Sequence, residues 1–160
     1  MAEVSIVMGS ASDLETVNEV IHVLRDFGII FEVKVLSAHR TPKELAKYVE
    51  SAPQKGVKIF IAAAGMSAAL AGVIAAHTIL PVIGIPMETK NLKGLDSLLS
   101  TVQMPSGVPV ASMAIGKAGA RNAGIFAAEI LGITDKNIGK KLLAYKKSMR
   151  IKIKSTKIKL

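Results

Sequence analysis

The chain has no cysteine and no tryptophan, and its aromatic residues amount to two tyrosines and four phenylalanines. Without cysteine there can be no disulfide, no thiolate metal ligand and no thiol nucleophile. With so few rings, the stacking platforms that hold single-stranded nucleic acid are almost missing. No His-x-x-x-His spacing occurs, so no metal site is expected, and no Walker pattern or Gly-x-Ser-x-Gly elbow appears. No basic leader with an apolar stretch precedes the first strand-like segment, which makes the cytoplasm the expected compartment.

Acidic residues stop at Asp135. Residues 1–139 hold all twelve of them and twelve of the 21 lysines and arginines, so that part is neutral. The formal charge of +9 therefore sits between Lys140 and Lys159. A basic end on a neutral body is expected to be a solvated helix end, and a nucleic-acid arm is the lesser reading. From Ile59 to Met87 there is no Asp, Glu, Lys or Arg. That stretch is long enough to cross a bilayer, yet Gly65, Gly72, Pro81, Gly84 and Pro86 punctuate it. It reads better as buried strands and a helix, and no membrane partner is expected. Half the residues are hydrophobic and the mean hydropathy is +0.42. Such an excess suggests apolar surface buried between subunits.

Strand and helix patterns alternate along the chain. Val4–Met8 is an apolar run, and Leu14, Val17, Ile21 and Leu24 give helical spacing over 13–27 before Gly28. Residues 29–36 alternate as a strand. Thr41, Pro42 and Glu44 have the order of N-cap, first position and capping box for a helix reaching about Ala52. Further strands are expected over 57–63, 81–85 and 108–113. Helices are expected over 67–78, 95–102, 118–131 and from Asp135 to about Arg150. No repeat or linker interrupts the pattern. Residues 1–150 form one expected α/β domain and 151–160 a basic tail. Five strands with intervening helices predict a flavodoxin-like, three-layer sandwich around a parallel sheet of order 2-1-3-4-5, with an extra C-terminal helix. Ligands of such sheets bind beyond the carboxyl ends of the strands, at the switch point between the first and third.

The loops after the first three strands are thereby brought together. The first, Gly9-Ser10-Ala11-Ser12-Asp13, offers a sharp turn, hydroxyls and a helix N-terminus. That suits a phosphate or ribose, although capping by Ser12 or Asp13 would also explain it. An Asp13 carboxylate would repel phosphate, so it is expected to accept from ribose hydroxyls. The second loop, Ser37-Ala38-His39-Arg40, combines a bidentate guanidinium, a hydroxyl and an imidazole that exchanges protons near neutral pH. In the third, Gly65, Met66, Ser67 and Leu70 belong to a small-residue turn where main-chain amides can approach a ligand. His22 and His77 are expected to be structural.

These segments resemble the PurE family of purine biosynthesis. The resemblance is carried by Val7-Met8-Gly9-Ser10-Ala11-Ser12-Asp13, by Ser37-Ala38-His39-Arg40-Thr41-Pro42, by residues 96–105 (DSLLSTVQMP) with Gly107-Val108-Pro109-Val110, and by residues 114–120 (AIGKAGA). It covers about residues 4–150. It implies a cofactor-free enzyme that interconverts N5-carboxyaminoimidazole ribonucleotide and 4-carboxyaminoimidazole ribonucleotide. It also implies a homo-octamer with active sites near subunit contacts. Carried over by motif, Ser10, Asp13, Ser37 and Arg40 would hold the ribose phosphate, and His39 would be the general acid and base. The third loop departs from the mutase branch, since Ala69 stands where a second His is usual, while Ser67 matches a branch that carboxylates aminoimidazole ribonucleotide with CO₂. The other blocks favour the mutase, with the direct carboxylase as the alternative. A phosphate- or flavin-binding module without catalysis is a more distant one.

Overall fold

The computed structural model describes residues 1–158. Five parallel strands lie in the order 2-1-3-4-5: β1 (Val4–Met8), β2 (Phe31–Val35), β3 (Ile59–Ala64), β4 (Val82–Pro86) and β5 (Ala111–Ser112). The helices are α1 (Leu14–Phe27), α2 (Pro42–Ser51), α3 (Leu70–Ala76), α4 (Leu95–Val102), α5 (Gly116–Gly132) and α6 (Lys136–Ser155). Every residue of β1 and β4 is buried. Strands covered on both faces can therefore be apolar throughout instead of alternating.

Alternate side chains sort the core into two halves. Val4, Ile6, Ile59, Ile61, Ile83 and Ile85 pack against α1, α5 and the start of α6. Val7, Phe60, Ala62 and Val82 pack against α2 and α3 on the other face. Ser5 also points to that second face, where its hydroxyl meets the Tyr48 hydroxyl. Tyr48 in turn donates to Glu32 at 2.8 Å, so the buried serine is satisfied. Gly84 sits under α4: a Cβ there would lie 2.4 Å from Thr101 Cγ2.

Several boundaries differ from the sequence expectation. The third helix starts at Leu70 and ends at Ala76, and Met66, with a left-handed φ of 60°, turns the chain between β3 and that helix. β5 is two residues long. The expected capping box on α2 does not form. Instead Thr41 Oγ1 accepts from the Ser37 amide at 2.8 Å and donates to the Ser37 carbonyl at 3.1 Å, closing the turn in front of the helix. α6 runs past Arg150 to Ser155. Asp135 caps it, accepting from the amides of Asn137 and Ile138, and Ile138 and Leu142 anchor it. Every described residue after Tyr145 is exposed. The last two residues of the expected tail lie outside the described ones.

Candidate functional site

Register sets the level of the site. Met8 pairs with Val35 on one side and with Ala63 on the other, so the loops leaving β1, β2 and β3 start at one height. Together they line a cavity of about 730 Å³, a size suited to a small-molecule ligand. Gly9, Ser10, Asp13, Ser37, His39, Arg40, Gly65, Met66, Ser67 and Leu70 all line it. All the residues singled out from sequence are thus brought together. Ser12, read there as a possible cap, lines the cavity too, while missing from that reading is a fourth wall, Met87 to Lys90, which follows β4. The signal for it was the strand order itself, since β4 is the neighbour of β3.

One corner of the cavity is tied by hydrogen bonds. Arg40 Nη2 donates to the Gly9 carbonyl at 2.7 Å, and its Nε donates to Ser37 Oγ at 3.3 Å. The Arg40 amide donates to the same hydroxyl oxygen at 3.2 Å. Ser10 Oγ accepts from the Ser12 amide at 3.3 Å and from the Ser12 hydroxyl at 2.9 Å. Capping in this loop therefore falls to Ser10. Asp13 occupies the N-cap position of α1 but makes no side-chain cap bond. Burial lifts the Asp13 carboxyl above its ordinary range, while the Ser12 hydroxyl and the Arg40 guanidinium pull it back.

Neither Gly9 nor Gly65 takes a left-handed φ; the residue that does is Met66, whose side chain is 70% exposed. A Cβ on Gly9 would meet no protein atom within 4 Å. The chain's own packing leaves that space open at the cavity wall, where a side chain would take it from a ligand. His39 is exposed in the turn after β2, on the same cavity as the guanidinium of Arg40. Ala69 lines the cavity and precedes α3, so no second imidazole stands there.

The other histidines lie outside the cavity lining. His22 is on the exposed side of α1, and His77 meets Glu50 at 3.0 Å. Among the described residues there is no group of three His, Asp or Glu side chains placed to hold a metal ion. No helix among them is long and apolar enough to cross a membrane.

Comparison with known proteins gives the family and the fold. The profile of the family described as AIR carboxylase matches residues 3–152. An N5-carboxyaminoimidazole ribonucleotide mutase of Saccharolobus solfataricus is 48% identical over 158 residues, 99% of each chain. The Bacillus subtilis protein of the same name is 52% identical over 139 residues, 87% of this chain and 86% of that one. The crystal structure of Treponema denticola PurE superposes with a TM-score of 0.86 at 30% identity, covering 94% of this chain and 92% of that one. The chain belongs to the AIR carboxylase (PurE) family.

Proposed function

We propose that the chain interconverts N5-carboxyaminoimidazole ribonucleotide and 4-carboxyaminoimidazole ribonucleotide, a reading supported by relatives named N5-carboxyaminoimidazole ribonucleotide mutase. The observation that carries the reading is a single cavity bordered by the Arg40 corner, by His39 and by a small-residue wall. Ser10, Ser37 and Arg40 hold the phosphate, and Asp13 accepts from the ribose hydroxyls. His39 delivers a proton to the carbamate nitrogen. The nitrogen–carboxyl bond breaks, its electron pair returns to nitrogen, and CO₂ is released. The electron-rich ring carbon then forms a bond to CO₂, and the ring proton it must lose goes back to His39. One imidazole serves both transfers, and the protons balance.

Retention of CO₂ requires water to be kept out and the gas held in attack geometry. Gly65, Ala68 and Ala69 give the third loop a lining that hydrates weakly. His39 and Arg40 are exposed in the isolated chain, and closure falls to neighbouring copies in a homo-octamer, in the cytoplasm. An inside-out helix supports association: α4 buries Ser97 and Thr101 while Leu95, Leu99 and Val102 stay about half exposed. Leu99→Lys is expected to lower the sedimentation coefficient while leaving the circular dichroism spectrum intact.

The direct carboxylase is the second reading, favoured by Ser67 and by the absence of an imidazole at Ala69. Each ribonucleotide is supplied to the purified protein in turn. The mutase reading expects conversion of the carboxylated substrate without added bicarbonate. Turnover confined to aminoimidazole ribonucleotide plus bicarbonate overturns it. His39→Asn is expected to lower kcat by roughly 10²- to 10⁴-fold; full turnover in that variant would remove the imidazole from the mechanism.

A further inference from the structure

The fourth wall of the cavity holds two charges that the proposed mechanism leaves idle. Glu88 and Lys90 both line the cavity and are exposed. Neither forms an ion pair among the described residues. Their neighbour is anchored: Thr89 Oγ1 donates to Asp96 at 2.8 Å and accepts from the Gly94 amide at 3.1 Å. These bonds fix the segment from its middle, so the two charged side chains on either side start from a set position. The distance to the anion corner is also set. β2 and β4 are three strand spacings apart in the sheet, which places the two walls about 14 Å from each other.

We propose that Glu88 and Lys90 read the reacting edge of the substrate ring, with Lys90 pairing with the migrating carboxyl group and Glu88 accepting from the neighbouring amino group. The inference rests on the ribonucleotide reading above and assigns its second charged end. A carboxyaminoimidazole ribonucleotide is anionic at both ends, phosphate at one and carboxylate at the other. Arg40 is committed to the corner beside Gly9 and Ser37, at the β1–β2 side, and cannot serve both. The ring edge sets an amino donor beside a carboxylate acceptor. Glu88 and Lys90 offer an acceptor beside a cationic donor, two residues apart on one wall, which is the complementary pair. Lys90 is a positioning residue: it orients the carboxyl group and takes no proton in the reaction.

The test is direct binding, by calorimetry, of two ligands to wild type, Lys90→Met, Lys90→Arg, Glu88→Leu and Arg40→Met. The ligands are 4-carboxyaminoimidazole ribonucleotide and its decarboxylated counterpart, which keeps the amino group and the phosphate. Lys90→Met is expected to weaken the carboxylated ligand at least tenfold and the decarboxylated one less than twofold, with Lys90→Arg restoring most of the difference. Glu88→Leu and Arg40→Met are expected to weaken both ligands. An unchanged thermal melt in Lys90→Met would exclude a structural origin. Equal losses for the two ligands in Lys90→Met, or none for either, would overturn the assignment and leave the ribonucleotide reading standing. Failure of the wild-type protein to bind either ligand would overturn the ribonucleotide reading itself.

Discussion

The two sides of the cavity are built on different terms. On the β1–β2 side the polar groups are already engaged with one another: Arg40 with Gly9 and Ser37, Ser12 with Ser10. On the β3–β4 side the lining is small, the backbone of Met66 is left-handed, and Glu88 and Lys90 have no ion-pair partner among the described residues. A preformed corner holds an unchanging group such as a phosphate without reordering itself. The looser side suits the end of a ligand whose bonds are being remade. On the proposed reading the tied wall anchors the phosphate and also carries His39, while the looser wall meets the carboxyl group.

The sharpest way to break this contrast is at the tied corner. Arg40→Met removes the cationic fork, and KM for the carboxylated ribonucleotide is expected to rise roughly 10- to 100-fold. The decarboxylated ligand is expected to weaken in step. Steady-state kinetics showing an unchanged KM would mean that the phosphate sits elsewhere. A pair of glycines gives the next largest effect. Gly84→Ala places a methyl 2.4 Å from Thr101 Cγ2 and 3.1 Å from Val110 Cγ1, and overpacking of this kind costs about 1–3 kcal/mol. Gly9→Ala meets no protein atom within 4 Å, so its thermal melt is expected to match wild type while KM rises several-fold. Calorimetry and kinetics on the same two proteins separate a glycine required by packing from one required by a guest.

Much of this arrangement was legible in the sequence, for identifiable reasons. Five apolar runs, each followed by a glycine or a polar turn, fix a βα alternation, and that alternation with short connections leaves few topologies. The strand order then brings Ser10, His39 and Gly65 together without knowledge of any contact. What escaped depends on local geometry. Ser67-Ala68-Ala69 has the composition of a helix start yet stays outside α3, and the left-handed turn before it falls on Met66, with no glycine to announce it. Thr41 and Glu44 have capping-box spacing, but the threonine hydroxyl has a nearer partner in Ser37. The short helix over 95–102 was expected, but spacing cannot tell which side of it meets the sheet, and α4 turns Ser97 and Thr101 inward. Glu88 and Lys90 lie between the expected fourth strand and the 95–102 helix, a segment with no motif of its own, although β4 ends beside β3 and opens on the same space.

Asp13 offers the smallest effect and a test of cost against use. Burial raises its carboxyl pKa above the ordinary value of 3.8, against the pull of Ser12 and Arg40. The folded chain therefore holds this proton more tightly than the unfolded one. Folding takes up protons between 3.8 and the raised folded value, so this group's contribution to stability declines as pH rises through that window and stays lower above it. Asp13→Asn removes the penalty, and because the site is half open to solvent the gain is modest, a rise in Tm of roughly 1–3 °C at neutral pH. The two melting curves should converge when pH falls below the ordinary aspartate range. Affinity for the ribonucleotide should drop in the same variant, because an amide oxygen accepts from hydroxyls less strongly than a carboxylate. A variant both more stable and weaker in binding would mean that the carboxylate is kept at a cost to the fold for the sake of the ligand. A variant that melts lower at neutral pH would instead place Asp13 among the residues holding the β1 loop together.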